Sequence, residues 1–174
     1  AAHTFSALDT ATFDIKEYSR LKFGSNRVAA RFGYEMADAF FDQHRDMLDR
    51  SVVIPAPSTT VPVASTLLSH HFMNRINTRL ARENAMPVEW SLVHRKMTYN
   101  NNYADLAKEE RRKLLAADDI FFNRDFVEGK TLLFVDDCTI TGTHEDKISS
   151  YLAHFGMTNP HAFICFAKYQ GDDH

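Results

Sequence analysis

Apolar residues recur every four positions in two segments of the chain, and this spacing predicts two amphipathic helices. In the first segment, from about Asn26 to Leu48, the apolar stripe consists of Val28, Phe32, Met36 and Phe40. In the second, which begins near Pro62, the stripe consists of Ala64, Leu68, Phe72, Ile76 and Leu80. Proline suits the first turn of a helix because an N–H at that position has no partner within the helix.

Short apolar runs between and after these helices predict strands. Residues 51–58 (SVVIPAPS) and 130–137 (KTLLFVDD) are two such runs, and prolines stop the first because they cannot donate to a ladder. Residues 87–95 (PVEWSLVHR) predict a third strand, and residues 161–169 (HAFICFAKY) predict the strand that closes the sheet. Strands that alternate with helices predict an α/β protein with a mostly parallel sheet flanked by helices.

The polar segments complete this pattern. Residues 104–118 (ADLAKEERRKLLAAD) predict an exposed, charged helix. A further helix is expected to begin near Thr143, with Asp146 three residues later in the manner of a capping box, and to end at His154. Gly156 stands where a glycine commonly ends a helix.

Length, charge and cysteine content limit the classes of protein that fit. The chain has 174 residues, which suits one domain, and its net charge of -3 does not predict nucleic-acid binding. Cys138 and Cys165 both lie in apolar stretches, so we expect free thiols in a reducing compartment. No apolar run approaches the roughly 20 residues of a membrane span, and no signal-peptide pattern opens the chain. We therefore expect a single cytoplasmic domain.

The strand at 130–137 ends in Asp136 and Asp137, followed by a loop and a helix. In parallel α/β sheets, ligands bind where strands end at their carboxyl edge. Backbone N–H groups, threonine hydroxyls and the helix dipole together form a cradle suited to phosphate. The residues of this cradle are Thr139, Ile140, Thr141, Gly142 and Thr143.

The two aspartates require a different ligand group, because carboxylates repel phosphate. They suit sugar hydroxyls, or a magnesium ion (Mg2+) held through its waters. A Walker B strand would also end in acidic residues, but the chain has no G-x-x-x-x-G-K-[ST] loop upstream. The remaining alternative is that the carboxylates only cap a neighbouring helix. A sugar phosphate satisfies both halves of the motif.

The stretch LLFVDDCTITGT (residues 132–143) resembles the phosphoribosyl pyrophosphate (PRPP) signature of type I phosphoribosyltransferases, including the Gly129–Lys130 pair before the strand. The resemblance implies a Rossmann-like sheet with a small N-terminal hood, a magnesium requirement and a homodimer. It also implies that Asp136 and Asp137 hold the ribose hydroxyls and the metal. Residues 139–143 would then bind the 5′-phosphate.

Two further segments are assigned roles by the same resemblance. The loop 55–62 (PAPSTTVP) stands where the family binds pyrophosphate, and its donors are Ser58, Thr59 and Thr60. This loop has no Lys or Arg, which departs from the family and leaves open an ordinary proline-rich strand exit. Residues 94–115 look like the catalytic loop of ComF-type members, in which Arg95 and Lys96 would neutralise the departing pyrophosphate. For Arg111, Arg112 and Lys113, a solvated helix face is the simpler explanation.

The first fifty residues carry weaker signals. We expect residues 1–174 to form one domain, with the hood in about residues 1–25 and the core in 26–174. Residues 18–25 (YSRLKFGS) resemble phosphoribosyltransferase-like proteins of bacterial stress and tellurite-resistance clusters, although simple packing of their aromatic residues explains them equally well. The nine histidines, including His70, His71 and His144, show no metal-site spacing.

The expected function is transfer of the phosphoribosyl group of Mg-PRPP to a base-like acceptor, or the reverse reaction from a nucleotide monophosphate. The alternatives are a module that senses PRPP or a nucleotide without catalysis, and a hydrolase of a nucleotide-like metabolite. Aromatic candidates for stacking on the acceptor are Phe163, Phe166 and Tyr169. Alternation along a core strand explains at least two of them more simply.

Overall fold

A computed structural model describes residues 3–8, 25–56, 63–91, 94–95, 120–121, 123–139 and 143–168. Its strands are β1 (His3–Leu8), β2 (Ser51–Pro55), β3 (Glu89–Trp90), β4 (His94–Arg95), β5 (Ile120–Phe121), β6 (Thr131–Thr139) and β7 (His161–Lys168). Its α-helices are α1 (Asn26–His44), α2 (Val63–Arg82), α3 (Arg124–Val127) and α4 (Thr143–His154). A 3₁₀ turn (Arg45–Leu48) extends α1 to the end of the helical segment that the sequence predicts.

The central sheet has five strands in the order β1–β7–β6–β2–β3, and every neighbouring pair is parallel. The α/β fold with a parallel sheet is therefore confirmed. The expectation that residues 161–169 close the sheet is wrong, because β1 pairs with the outer side of β7. A hood within residues 1–25 stays a prediction, since residues 9–24 lie outside the described part of the chain.

Both faces of the sheet are covered, which explains the continuous apolar run in β6. Leu133 and Val135 face the core formed with α1 and α2. Leu132 and Phe134 face the second core, which is formed with α4. All four of these side chains are fully buried. The alternation of side chains between the two faces of β6 therefore determines which core each residue joins. The hydrophobicity of these residues does not distinguish the two cores, because all four are apolar.

The end of α4 follows the sequence expectation closely. Gly156 has a φ of 64°, a left-handed conformation that glycine adopts without strain. Met157 N donates to Leu152 O at 2.8 Å, and Gly156 N donates to Ala153 O at 3.1 Å. These two bonds form the Schellman motif, which satisfies carbonyls at the helix terminus.

The single strand predicted over residues 87–95 is wrong, because the segment contributes to two sheets. Glu89 and Trp90 pair with β2, whereas His94 and Arg95 pair with β5 in a separate antiparallel sheet. The side chain of Asn77 hydrogen-bonds to both backbone groups of Val88. Its Oδ1 accepts from Val88 N at 2.8 Å, and its Nδ2 donates to Val88 O at 3.3 Å. Those backbone groups are thus unavailable for pairing with another strand.

The helix predicted at 104–118 and most of the loop at 55–62 fall outside the described residues. The capping box predicted for Thr143 and Asp146 stays a prediction, although α4 does begin at Thr143. Within the described part of the chain, no helix is both long and apolar enough to cross a membrane.

Candidate functional site

The parallel pairing brings the carboxyl ends of the strands to one edge of the sheet. Strands β2 and β6 are direct neighbours, with Pro55 opposite Val135. The two loops for which the sequence predicts phosphate chemistry therefore leave the sheet side by side. One loop begins after Ala56, and the other begins after Thr139. This is the edge at which ligands bind in open α/β sheets.

Asp136 is the first polar residue after the buried run of β6. Its side chain is only 8% exposed, and it lies opposite Cys165 of β7. It follows Phe134 by two positions in the strand, so both side chains belong to the face covered by α4. The carboxyl edge of a parallel sheet is where ligands bind in open α/β folds. A buried aspartate at a ligand-binding edge is therefore a strong candidate for binding.

Strand β6 continues through Asp137 and ends at Thr139, two residues beyond the predicted strand. Helix α4 then begins at Thr143. The predicted order of strand, short loop and helix is thus present in the backbone, and the positive end of the α4 dipole lies at the same edge. Ile140, Thr141 and Gly142 lie outside the described residues, so their contact with a phosphate stays a prediction.

The exit of β2 is bonded to β6 and to α2. Ala56 N donates to Val135 O at 2.9 Å, immediately before Asp136 in the chain. The hydroxyl of Ser65, in the first turn of α2, donates to Ala56 O at 3.2 Å. No sequence signal identified Ser65, because a serine near a helix start is ordinarily interpreted as a cap. Ser58, Thr59 and Thr60 follow this anchor but lie outside the described residues.

Arg95 belongs to a two-stranded sheet that is separate from the central sheet. It belongs to β4, where it is opposite Ile120 of β5. The antiparallel pair joins the two ends of residues 96–119, which include most of the catalytic loop that the resemblance implies over residues 94–115. Lys96 is within that segment and outside the described residues. The structure therefore leaves the roles of both basic residues as predictions.

Two of the three aromatic residues considered for acceptor stacking are core residues. Phe163 stacks on Phe134 with ring centroids 5.5 Å apart, and Phe166 stacks on Phe32 at 3.7 Å. Both are almost fully buried, on opposite faces of β7. The simpler explanation, alternation along a core strand, is confirmed for both. Tyr169 lies outside the described residues.

The donor chemistry at the sheet edge fits magnesium. Among the described residues, no group of three or more His, Cys, Asp or Glu side chains is close enough to hold a metal ion. Magnesium does not require such a cage, because it keeps several waters and binds through one or two carboxylates plus substrate phosphates. The carboxylate of Asp136 belongs to the class of hard oxygen ligands that this mode of binding uses.

A cavity of about 730 Å³ opens at the opposite edge of the sheet, where β6 and β7 begin. Its walls are residues 123–125, 128–129 and 155–160. None of the residues predicted to bind PRPP lines it, so this cavity is separate from the candidate site.

The parallel sheet and the acidic strand followed by a loop and helix define the class of protein: an α/β domain consistent with the type I phosphoribosyltransferase fold. A family model described as PRTase ComF-like matches residues 1–174. The chain therefore belongs to the ComF-like phosphoribosyltransferase family, as its sequence motif predicts. A comparison with curated proteins found no match.

Proposed function

We propose that the protein transfers the 5-phosphoribosyl group of Mg-PRPP to a base-like acceptor, with pyrophosphate as the other product. The observation that carries this proposal is the buried carboxylate of Asp136 at the carboxyl edge of β6, beside the exit of β2. Family membership supports the class of reaction. The same site would release a base from a nucleotide monophosphate in the reverse direction.

In the proposed site, three groups of residues bind three different parts of PRPP. Asp136 and Asp137 accept hydrogen bonds from the ribose hydroxyls and approach magnesium through its waters. Residues 139–143 bind the 5′-phosphate through backbone N–H groups, hydroxyls and the N-terminus of α4. Ser58, Thr59 and Thr60 donate to the pyrophosphate arm. Each hydrogen bond to a charged group contributes about 1.5–3 kcal/mol.

The chemistry is displacement at the anomeric carbon. As the bond to pyrophosphate breaks, positive charge develops on the sugar, as in oxocarbenium-like glycoside chemistry. Arg95 and Lys96 neutralise negative charge on the departing pyrophosphate, and magnesium, when bound, supplies further positive charge there. The contacts to the 5′-phosphate and hydroxyls hold the ring in place while an acceptor nitrogen attacks the exposed carbon.

A sensor that binds PRPP or a nucleotide without turnover is the second candidate. One observation favours it: the loop at 55–62 has no Lys or Arg. A leaving group held only by hydroxyl and backbone donors is less fully neutralised than one that contacts a fixed cation. Hydrolysis of a nucleotide-like metabolite is the third candidate.

Calorimetric titration of PRPP with and without magnesium tests the proposal. We expect magnesium-dependent binding that weakens by about ten- to a hundredfold in Asp136→Asn. Asp137→Asn is expected to weaken binding as well. Asp125→Asn makes the same chemical change at an exposed position in α3, beside the cavity at the opposite edge, and should bind as the wild type does. Absence of binding by folded wild-type protein would rule out the PRPP site.

Product analysis then separates the functions. With PRPP and a base as substrates, pyrophosphate and a new nucleotide indicate transfer. With a nucleotide monophosphate and water as substrates, a free base and ribose 5-phosphate indicate hydrolysis. Tight binding with no product from any base tested indicates a sensor.

The cytoplasmic location and the homodimer also belong to this proposal. Cys165 is a buried thiol that forms no disulfide, which suits a reducing compartment. Light scattering at several protein concentrations tests the dimer, and a single monomeric species throughout would contradict it.

A further inference from the structure

The cavity at the edge where β6 and β7 begin has two walls that hydrogen bonds join to each other. One wall consists of residues 123–125 and 128–129, and the other is the turn 155–160 after α4. The amide nitrogen of Asn159 donates to Val127 O at 2.8 Å and to Lys130 O at 2.9 Å, which ties the second wall to the first. A cavity whose walls are already fixed loses little conformational entropy when a ligand enters.

The size of the cavity and its two glycines suit a small ligand. Its volume of about 730 Å³ lies within the range of roughly 300–1,000 Å³ that is usual for small-molecule sites. Gly129 and Gly156, one on each wall, have positive φ angles of 73° and 64°. A Cβ at either position would meet no atom of the described residues within 4 Å, so the backbone of both walls is open to a ligand.

Arg124 spans the cavity from the first wall to the second. Its guanidinium carbon lies 4.5 Å from the centroid of the Phe155 ring. Although Glu128 is only four residues away, the guanidinium stacks on this ring and forms no ion pair with any described residue. Stacking on an aromatic face leaves the in-plane N–H groups available, and these form a planar fork that suits a carboxylate.

Two carboxylates border the same cavity. Asp125 and Glu128 are exposed, and the side chain of neither forms an ion pair or hydrogen bond with a described residue. Helix α4 ends beside the second wall, where the negative end of its dipole lies. This part of the cavity therefore favours cationic groups.

The charges around the cavity define the ligand that complements them. Arg124 supplies one positive charge, and Asp125 and Glu128 supply two negative charges. A complementary ligand carries one carboxylate and two cationic groups on a short carbon chain. A basic α-amino acid has this composition, with an α-carboxylate for the guanidinium and two cationic groups for the carboxylates.

We propose that this cavity is a binding site for a free basic α-amino acid. Arg124 recognises the α-carboxylate, and Asp125 and Glu128 recognise the α-ammonium and the side-chain cation. This inference does not rest on the proposed function, because none of the residues predicted to bind PRPP lines the cavity.

The test is a titration of the protein with L-lysine, followed by the NMR signals of its backbone amides. We expect saturable shifts at Gly129, Gly156 and Thr158, with a dissociation constant of about 1 mM or lower. The ionic strength is kept low, because salt screens exposed charges.

Three analogues of L-lysine each lack one of its charges. Cadaverine lacks the carboxylate, L-norleucine lacks the side-chain ammonium, and Nα-acetyl-L-lysine lacks the α-ammonium. Each should bind at least about tenfold more weakly than L-lysine, the loss expected for one hydrogen-bonded charge. The acetylated analogue also represents a lysine at the end of a peptide, so it distinguishes a free amino acid from a peptide terminus.

Variants assign the charges to residues. Arg124→Gln should weaken L-lysine about tenfold and leave cadaverine within twofold of its wild-type affinity, because cadaverine has no carboxylate. Glu128→Gln should weaken both ligands. Arg27→Gln makes the matched change at an exposed position of α1 outside the cavity and should bind both as the wild type does. Circular dichroism verifies that each variant is folded.

Three results would overturn the inference. The first is the absence of saturable shifts in folded wild-type protein at about 10 mM L-lysine, ten times the expected dissociation constant. The second is an analogue that binds as tightly as L-lysine, since one of the charges is then not recognised. The third is an equal loss of L-lysine and cadaverine in Arg124→Gln, since the guanidinium does not then bind the carboxylate. Binding of PRPP at the opposite edge is measured separately, so none of these results affects the proposed function.

Discussion

Gly33 of α1 packs directly against His71 of α2. A Cβ at position 33 would be 2.7 Å from the Cβ of His71, and 3.1 Å from Leu68 O and Phe72 N. These atoms belong to backbone or to the rigid base of a side chain, so they cannot rotate away. The glycine therefore permits a helix–helix distance that any other residue would increase.

Gly33→Ala should destabilise the protein by up to about 2 kcal/mol, measured by urea denaturation. Two effects oppose each other: alanine gains about 1 kcal/mol in helix propensity, and overpacking costs about 1–3 kcal/mol. We expect the second to be larger. The difference in stability between Glu35→Gly and Glu35→Ala, at an exposed position of the same helix, reports the propensity effect. A gain in stability for Gly33→Ala would contradict the close packing.

Protonation of His71 should weaken the folded state as the pH falls. Its Nε2 donates to Asn26 Oδ1 at 2.7 Å, and its Nδ1 is buried with no hydrogen-bond partner among the described residues. Burial, and then the neighbouring charge of His70, lower the pKa of His71 below 6.5. Because the folded-state pKa of His71 is lowered, its contribution to stability is complete above about pH 6.5, the pKa of a histidine in the unfolded chain. That contribution is lost as the pH falls through the folded-state pKa.

The measurement is the free energy of unfolding from pH 8 to pH 5. His71→Gln should make its decline with falling pH shallower than in the wild type. His154→Gln, at an exposed position near the end of α4, should keep the wild-type slope. An unchanged slope in His71→Gln would show that another group controls the decline.

The ion pairs of Asp38 should contribute little to the stability of the folded state, and only at low salt concentration. Arg75 donates to both carboxylate oxygens of Asp38 at 2.9 and 3.2 Å, and Arg79 adds a third contact at 3.3 Å. All three side chains are a quarter to two-fifths exposed, so solvent and ions screen them. Asp38→Asn should lower the melting temperature less than Gly33→Ala does, and the difference from wild type should vanish in 1 M NaCl. A salt-independent loss would contradict the screening argument.

Asn159 joins the loop before β6 to the loop before β7. Its amide nitrogen donates to Val127 O at 2.8 Å and to Lys130 O at 2.9 Å. Asn159→Ala should cost about 1–3 kcal/mol, because two carbonyls lose a donor. Asn159→Asp should cost more at pH 7, since a carboxylate would face those oxygens. The difference between the variants should shrink below about pH 4, where the new carboxyl is protonated. Equal stability of the two variants at pH 7 would count against the amide contacts.

Sequence patterns identified the candidate site because its signals are local. The apolar run of β6, the two aspartates and the start of α4 are consecutive in the chain. The loop after β2 was identified by resemblance, and the structure places its beginning at Ala56 beside Asp136. Ser65 carried no signal, because its hydroxyl acts on a carbonyl nine residues away that only the folded chain brings within reach.

By itself, the sequence determined the helices and strands that depend only on residues close together in the chain. The four-residue apolar spacing specified α1 and α2, the uninterrupted apolar run specified β6, and Gly156 specified the end of α4, since each depends only on neighbouring residues. Tertiary structure decided the rest. Pairing with β7 made residues 3–8 an edge strand. Hydrogen bonds from the side chain of Asn77 engaged the backbone of Val88, just before β3. The contact between Gly33 and His71 fixed the distance between the helices. These relations depend on residues far apart in the chain, whose contacts form only when the sheet and helices pack together.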